Sequence, residues 1–331
     1  MKLFKFTFAS ISALIVAFSA NADSITVVSW GGAYTKSQVE AYHKPWSQKT
    51  GHQVVSEDYS GGLAEVKAQV ESGNVTWDVV DVELSDALQG CDEGILEEID
   101  HSTLPAAPDG SPATQDFLPG ALQDCAVGNI VWSTLYAYDK TKFDTPPTTM
   151  ADFFDIEKFP GKRGMRKLGK AMLEMALMGD GVPAAEVYDL LGTEEGVKRA
   201  FAKLDTIKDH VVWWEAGAQP PQLLADGEVS MTITWNGRIF NAIAQEKQPF
   251  GLVWDGQIYD LDLFVIPKGS KNKEAALDFI RFSTDTKRLA DQASWIPYGP
   301  LRNSSIPLIG TFHSDSSCLL YTSPSPRDGI G

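Results

Sequence analysis

A run of branched apolar residues that stops at two glycines constrains the fold of this chain more than any other stretch. Ser24 to Tyr34 reads Ser-Ile-Thr-Val-Val-Ser-Trp-Gly-Gly-Ala-Tyr. Ile25, Val27 and Val28 favour a buried strand. Gly31 and Gly32 permit a tight turn and a close approach of backbone to a bound group. From Thr35 to Lys49, Val39, Tyr42, His43 and Trp46 share one helical face, with Pro45 predicting a kink or a late start. Such a corner, with Trp30 and Tyr34 at its mouth, faces a ligand at the carboxyl end of a sheet strand. A plain corner whose aromatics pack in the core is the competing reading.

The unit recurs. His52 to Ser56 reads as a strand, Leu63 to Glu71 as a helix, and Trp77 to Val82 as a strand ending at Glu83, with Ser85 placed to cap the next helix. This order predicts an α/β fold with a parallel sheet covered on both faces. Gly128 to Tyr138 is a strand leaving the first lobe, and a second α/β unit follows Pro146-Pro147. Its strands are Val211 to Trp214 and Val229 to Trp235, with a helix after Asn236-Gly237-Arg238. Tyr259 to Ile266 is a further strand and Asn272 to Ser283 a further helix.

Residues 1–22 read as a secretory leader: Lys2 and Lys5, an apolar run from Phe6 to Phe18, then Ala20-Asn21-Ala22 with cleavage after Ala22. The mature protein is therefore expected in the periplasm, as a monomer. The formal net charge is −16, or about −18 once Lys2 and Lys5 leave with the leader. A surface this acidic repels nucleic acid and suits a cationic ligand. Cys91 and Cys125 are expected to form a disulfide in an oxidising compartment. At the other end, Cys318 to Asp328 back-translates onto the transposon-end adapter of a sequencing library kit. Residues 317–331 are thus expected to be an unstructured adapter-derived tail on a truncated chain, and residues 301–316 the start of a cut-off segment.

Catalytic motifs fail. Thr35 stands where a phosphate loop before Lys36-Ser37 needs Gly, and Gly179 to Ala184 imitates a dinucleotide fingerprint but follows a helix and contains Pro183. The five His are scattered, and each is expected on the surface or in a loop. Asp260 and Asp262 have no nucleophile to serve. No catalytic residue, metal or cofactor is expected. Aromatics and acids instead gather near strand ends: Trp30 with Tyr34, Glu83, Trp132 with Ser133, Trp214 with Glu215, Trp235 with Asn236, and Tyr259 to Asp262. Aromatic faces hold cations and neighbouring acids complete an ammonium site, so Trp30, Tyr34, Glu83, Trp132, Ser133, Trp214, Glu215, Trp235, Asp260 and Asp262 are candidate ligand contacts, and Ser85 and Arg238 complete the set.

Val28 to Tyr34, Trp235 to Arg238, Asp262 to Gly269 and Tyr298 to Pro300 together resemble the periplasmic spermidine/putrescine-binding proteins of ABC transporters. The resemblance implies a two-lobed type II periplasmic-binding fold. Lobe 1 would span residues 23–135 and 258–300 and lobe 2 residues 136–257, with hinges near Ser133 to Tyr138 and Trp254 to Asp260. It implies a ligand held between the lobes and delivered to an inner-membrane permease. By the same resemblance, Trp30, Tyr34 and Trp235 form the aromatic wall and Asp262 takes an amine, which makes a polyamine the expected ligand. Arg166, Lys167 and Lys170 stand where the better-known polyamine binders are acidic, and together with Arg238 they weigh against a long polyamine, so a shorter diamine or a short zwitterion such as 4-aminobutyrate is the alternative. A secreted α/β enzyme is the third reading, and it lacks a nucleophile–base pair.

Overall fold

The computed structural model describes residues 24–313. The leader, the adapter-like tail and Cys318 lie outside the described residues. Ten strands form one mixed sheet: β1 Ser24–Ser29, β2 Gln53–Asp58, β3 Val79–Glu83, β4 Leu122–Gln123, β5 Ala126–Asp139, β6 Arg163–Arg166, β7 Val211–Trp214, β8 Met231–Trp235, β9 Phe250–Val265 and β10 Gly299–Pro300. Their order is β2-β1-β3-β9-β5-β8-β6-β7, with β4 and β10 paired to β5. β1 runs parallel to β2 and β3, and β6 parallel to β7 and β8. The long central pair β5 and β9 runs antiparallel through the middle.

That pair joins two lobes. One core gathers apolar residues from Ile25 to Val131 and again from Leu261 to Leu301. The other gathers residues from Tyr136 to Val253. The β5–β9 register shifts between Thr134 and Tyr136, just where the ladder passes from one core to the other. The first lobe is therefore built from two separate stretches of chain and the second is inserted between them.

Local structure departs from expectation in ways that have physical causes. The helix after the Gly31-Gly32 corner runs from Gly32 to Thr50 but widens to a π turn at Val39–His43. Pro45 cannot donate to the carbonyl four residues back and its ring would strike it, and the wider turn relieves both. His43 is buried rather than on the surface, edge-on to Phe279 at 5.5 Å. β9 starts at Phe250, nine residues before the expected strand, because Val253 and its neighbours pair with Tyr136 to Asp139. β6 lies inside the basic run from Pro160 to Lys170, and its Arg163 is fully buried. Cys91 and Cys125 form a disulfide with their Cα atoms 5.7 Å apart, pinning the end of the helix Leu84–Asp92 to the start of β5. Among the described residues, no helix is long and apolar enough to cross a membrane.

Candidate functional site

Strand pleating builds one polar face where the lobes meet. Side chains two apart on a strand share a face, which groups Asp81 with Glu83, Asp260 with Asp262, and Ile130 with Trp132. Register then sets Glu83 opposite Asp262, Asp262 opposite Ile130, and Asp260 opposite Trp132. Like charges set opposite each other are unfavourable, so this face requires cations. The second lobe supplies two of them. Arg166 Nη1 lies 3.2 Å from Glu83 Oε1, and Lys170 Nζ lies 2.8 Å from Glu83 Oε2 and 2.5 Å from Asp260 Oδ2. Asp262 receives only the Trp132 indole N–H, at 2.7 Å, and no ion pair among the described residues. Burial, then the charges of Asp81 and Glu83, push its carboxyl well above the ordinary range.

Above Asp262 stands an aromatic box. Trp235 is its hub, edge-on to Trp30 at 5.9 Å, Trp132 at 5.5 Å and Trp214 at 5.7 Å. Tyr34 meets Tyr298 at 5.3 Å. Trp30, Tyr34, Glu83, Trp132, Trp235, Arg238, Asp262 and Tyr298 enclose a cavity of ≈ 10 Å³, about the volume one water occupies. Arg238 reaches across from the second lobe and donates to the carbonyls of Gly31, at 2.5 Å, and Trp30, at 2.8 Å. Its Nε is buried without an acceptor. The corner needs glycine here: Gly32 has φ 56°, and a Cβ on it would sit 2.8 Å from Arg238 Nη1. Arg238 and Asp262 thus line one cavity, and no ion pair joins them among the described residues.

A larger cavity of ≈ 290 Å³ adjoins the box and shares Glu83, Trp132 and Trp235 with it. Arg166 stands at the junction, its guanidinium 5.8 Å from the Trp30 ring and 5.2 Å from the Trp235 ring. The volume falls at the lower end of the roughly 300–1,000 Å³ typical of small-molecule pockets.

Behind the box, Asp81 is buried and accepts from the Tyr34 hydroxyl at 2.8 Å, from the Gln38 amide, and from Asn129 at 3.3 Å. Burial raises its carboxyl to about 7 despite these donors, while burial lowers His43 from 6.5 to about 4. Folded Asp81 holds a proton that the unfolded chain releases, so its contribution to stability falls as pH rises from about 4 to about 7. Folded His43 refuses a proton that the unfolded chain takes, so its contribution rises from about pH 4 to about 6.5. The two slopes oppose each other. Asp81→Asn removes the falling one, so its stability relative to the parent should rise with pH across this window. Denaturant unfolding at about pH 4.5 and about pH 6.5 checks this, and a difference independent of pH would refute the assignment.

Of the expected contacts, Trp30, Tyr34, Glu83, Trp132, Trp235, Arg238 and Asp262 line the box, and Ser85, Trp214 and Asp260 line the larger cavity. Two do not reach either. Glu215 lies on the surface and pairs with Lys167 at 3.4 Å, because the strand end turns its side chain outward. Ser133 is buried and donates its hydroxyl to Gln257 while its backbone N–H is held by Asn236. Ser85 caps nothing, since the helix begins at Leu84, and its hydroxyl accepts from Lys170 at 3.0 Å. Sequence reasoning missed Asp81 and Tyr298, and it left open whether Arg166 and Lys170 face the cleft. The Tyr298-Gly299-Pro300 motif was the available signal for Tyr298.

Residues 38–316 match the family model of bacterial extracellular solute-binding proteins. The chain is 44% identical over 317 residues, 96% of its length and 87% of the relative's, to a gamma-aminobutyric acid-binding protein of Pseudomonas aeruginosa. A solved structure titled Atu4243-GABA receptor is 33% identical, with a TM-score of 0.74 over 92% of both chains. The spermidine/putrescine-binding protein of Salmonella typhimurium is more distant, 28% identical over 57% of this chain and 53% of its own. The polyamine resemblance therefore gives the right fold and role but the weaker kinship. Every one of these relatives binds a solute and none is an enzyme. The chain belongs to the bacterial extracellular solute-binding proteins, the two-lobed substrate-binding components of ABC transporters.

Proposed function

We propose that this protein captures a short ω-amino acid of the 4-aminobutyrate type between its lobes and hands it to an ABC permease. One observation carries the reading: a single aromatic box holds a buried carboxylate without a cation, Asp262, and a buried guanidinium without a carboxylate, Arg238. A zwitterion satisfies both, its ammonium on Asp262 against the indole faces and its carboxylate on Arg238, with Arg166 at the rim. A polyamine would leave Arg238 and Arg166 facing a second positive charge. The names of the two similar proteins above point the same way.

The box admits only a water-sized volume with the lobes together, so the ligand enters when they part and the aromatic walls settle around it farther apart than they stand without it. Closing then adds contacts made from both lobes, and that difference in affinity shifts the population toward the closed form. Export through the leader, cleavage after Ala22 and a monomeric periplasmic protein complete the proposal.

Titration calorimetry on the leaderless chain tests it. 4-Aminobutyrate should bind, and a hundredfold excess of spermidine should not displace it. Binding of putrescine or spermidine without binding of 4-aminobutyrate would overturn the reading.

A further inference from the structure

We propose that the larger cavity contains a latent ammonium subsite, filled by the chain's own Lys170, and that this internal occupant is what excludes diamines. The inference deepens the zwitterion reading above and rests on it for the placement of the first ammonium at Asp262.

Lys170 Nζ meets three oxygens: Glu83 Oε2 at 2.8 Å, Asp260 Oδ2 at 2.5 Å and Ser85 Oγ at 3.0 Å. An ammonium has three N–H donors, and three acceptors converging on one nitrogen make a complete receptor for it. The receptor oxygens come from β3, β9 and the helix that begins at Leu84. The nitrogen comes from the opposite lobe, on the segment that follows β6. Burial alone would lower the Lys170 ammonium, but Asp260 and Glu83 more than offset it and keep it charged. The lysine side chain stays 32% exposed while its two carboxylate partners, Glu83 at 5% and Asp260 at 15%, are more deeply buried. The adjoining ≈ 290 Å³, which Lys170 lines, leaves room for a ligand chain beside the lysine stem.

Spacing makes the subsite specific. Asp260 and Asp262 lie two residues apart on one face of β9, hence about 6–7 Å along the strand. Two ammonium groups joined by a four-carbon chain would match that separation, one on each carboxylate. Lys170 occupies the second position and its charge repels a second ammonium. The zwitterion has one ammonium, on Asp262, and its carboxylate lies on Arg238 within the box, so it places no second positive charge against Lys170 and meets no such penalty. Discrimination thus uses a repulsive element as well as an attractive one.

The test is Lys170→Met in the leaderless chain, titrated with putrescine and with 4-aminobutyrate. Putrescine affinity should rise at least tenfold over the parent protein. Lys170→Arg keeps the charge and should show no gain. Lys170→Gln, which keeps a donor and discards the charge, gives the same readout as Lys170→Met should the latter fail to fold. A folded neutral variant without any gain for putrescine overturns the proposal, as does an equal gain in Lys170→Arg. If the parent protein fails to bind 4-aminobutyrate, the ligand reading falls, while the putrescine gain still reports on Lys170 alone.

Discussion

Arg163→Met should cost about 3 kcal/mol or more of folding stability, since each buried carbonyl left without its donor costs about 1–3 kcal/mol. Arg163 is fully buried on β6. Its Nε donates to the Phe153 carbonyl at 2.6 Å. One terminal nitrogen donates to Gly161 at 2.8 Å and Ser230 Oγ at 3.2 Å, the other to Phe159 at 2.6 Å and Asp155 at 3.3 Å. The guanidinium therefore serves as a hub for four backbone carbonyls, those of Phe153, Asp155, Phe159 and Gly161. Burial lowers it to about 10, so it remains charged at neutral pH. Methionine fills much of the volume and returns none of the donors. Equilibrium denaturation measures the loss, and a cost below about 1 kcal/mol would show that water replaces the guanidinium.

Asp262→Asn should act in opposite directions on binding and on stability. The carboxylate is buried, faces Glu83 across the ladder, and has no cation of its own. Replacing it with an amide keeps an acceptor for the Trp132 indole and removes a buried charge. The ligand-free protein should therefore melt higher. Affinity for 4-aminobutyrate should fall at least hundredfold, or about 2.7 kcal/mol, because the ligand ammonium loses its counter-charge. Arg238→Gln should weaken binding similarly without the gain in stability, since it also loses the carbonyls of Trp30 and Gly31. Paired melting and calorimetry on both variants decide the matter. An Asp262→Asn protein that binds normally, or melts lower than its parent, would refute the assigned role.

The corner at Gly31-Gly32 and the clustering of tryptophans at strand ends were legible because both are local: glycine chemistry and strand periodicity write them directly into the chain. The zwitterion alternative came by another route, from Arg166, Lys167 and Lys170, with Arg238, set against the acidic pattern of the family that the chain resembles. Asp81 was not, because only tertiary contact places it behind Tyr34 and Asn129. The strand Arg163–Arg166 was not legible, because Arg-Gly-Met-Arg carries no apolar alternation to mark it. Glu215 misled for the opposite reason. It follows a tryptophan at a strand end, as Asn236 follows Trp235, but its side chain turns to Lys167. Position at a strand end selects candidates, and the direction of each side chain decides among them.

The insertion of one lobe into the other sets an order of events during synthesis. The second core closes within residues 136–253, so it can form as soon as that stretch has emerged. The first core cannot close until Leu261 to Leu301 arrive. Until then the β3 edge that pairs with β9 stays open, and more than a hundred residues made earlier wait with their apolar faces uncovered. Contacts so distant in sequence slow folding and leave exposed edges prone to misassembly. The N-terminal half of this protein is thus the last to mature, and it depends on being kept apart from other chains while it waits.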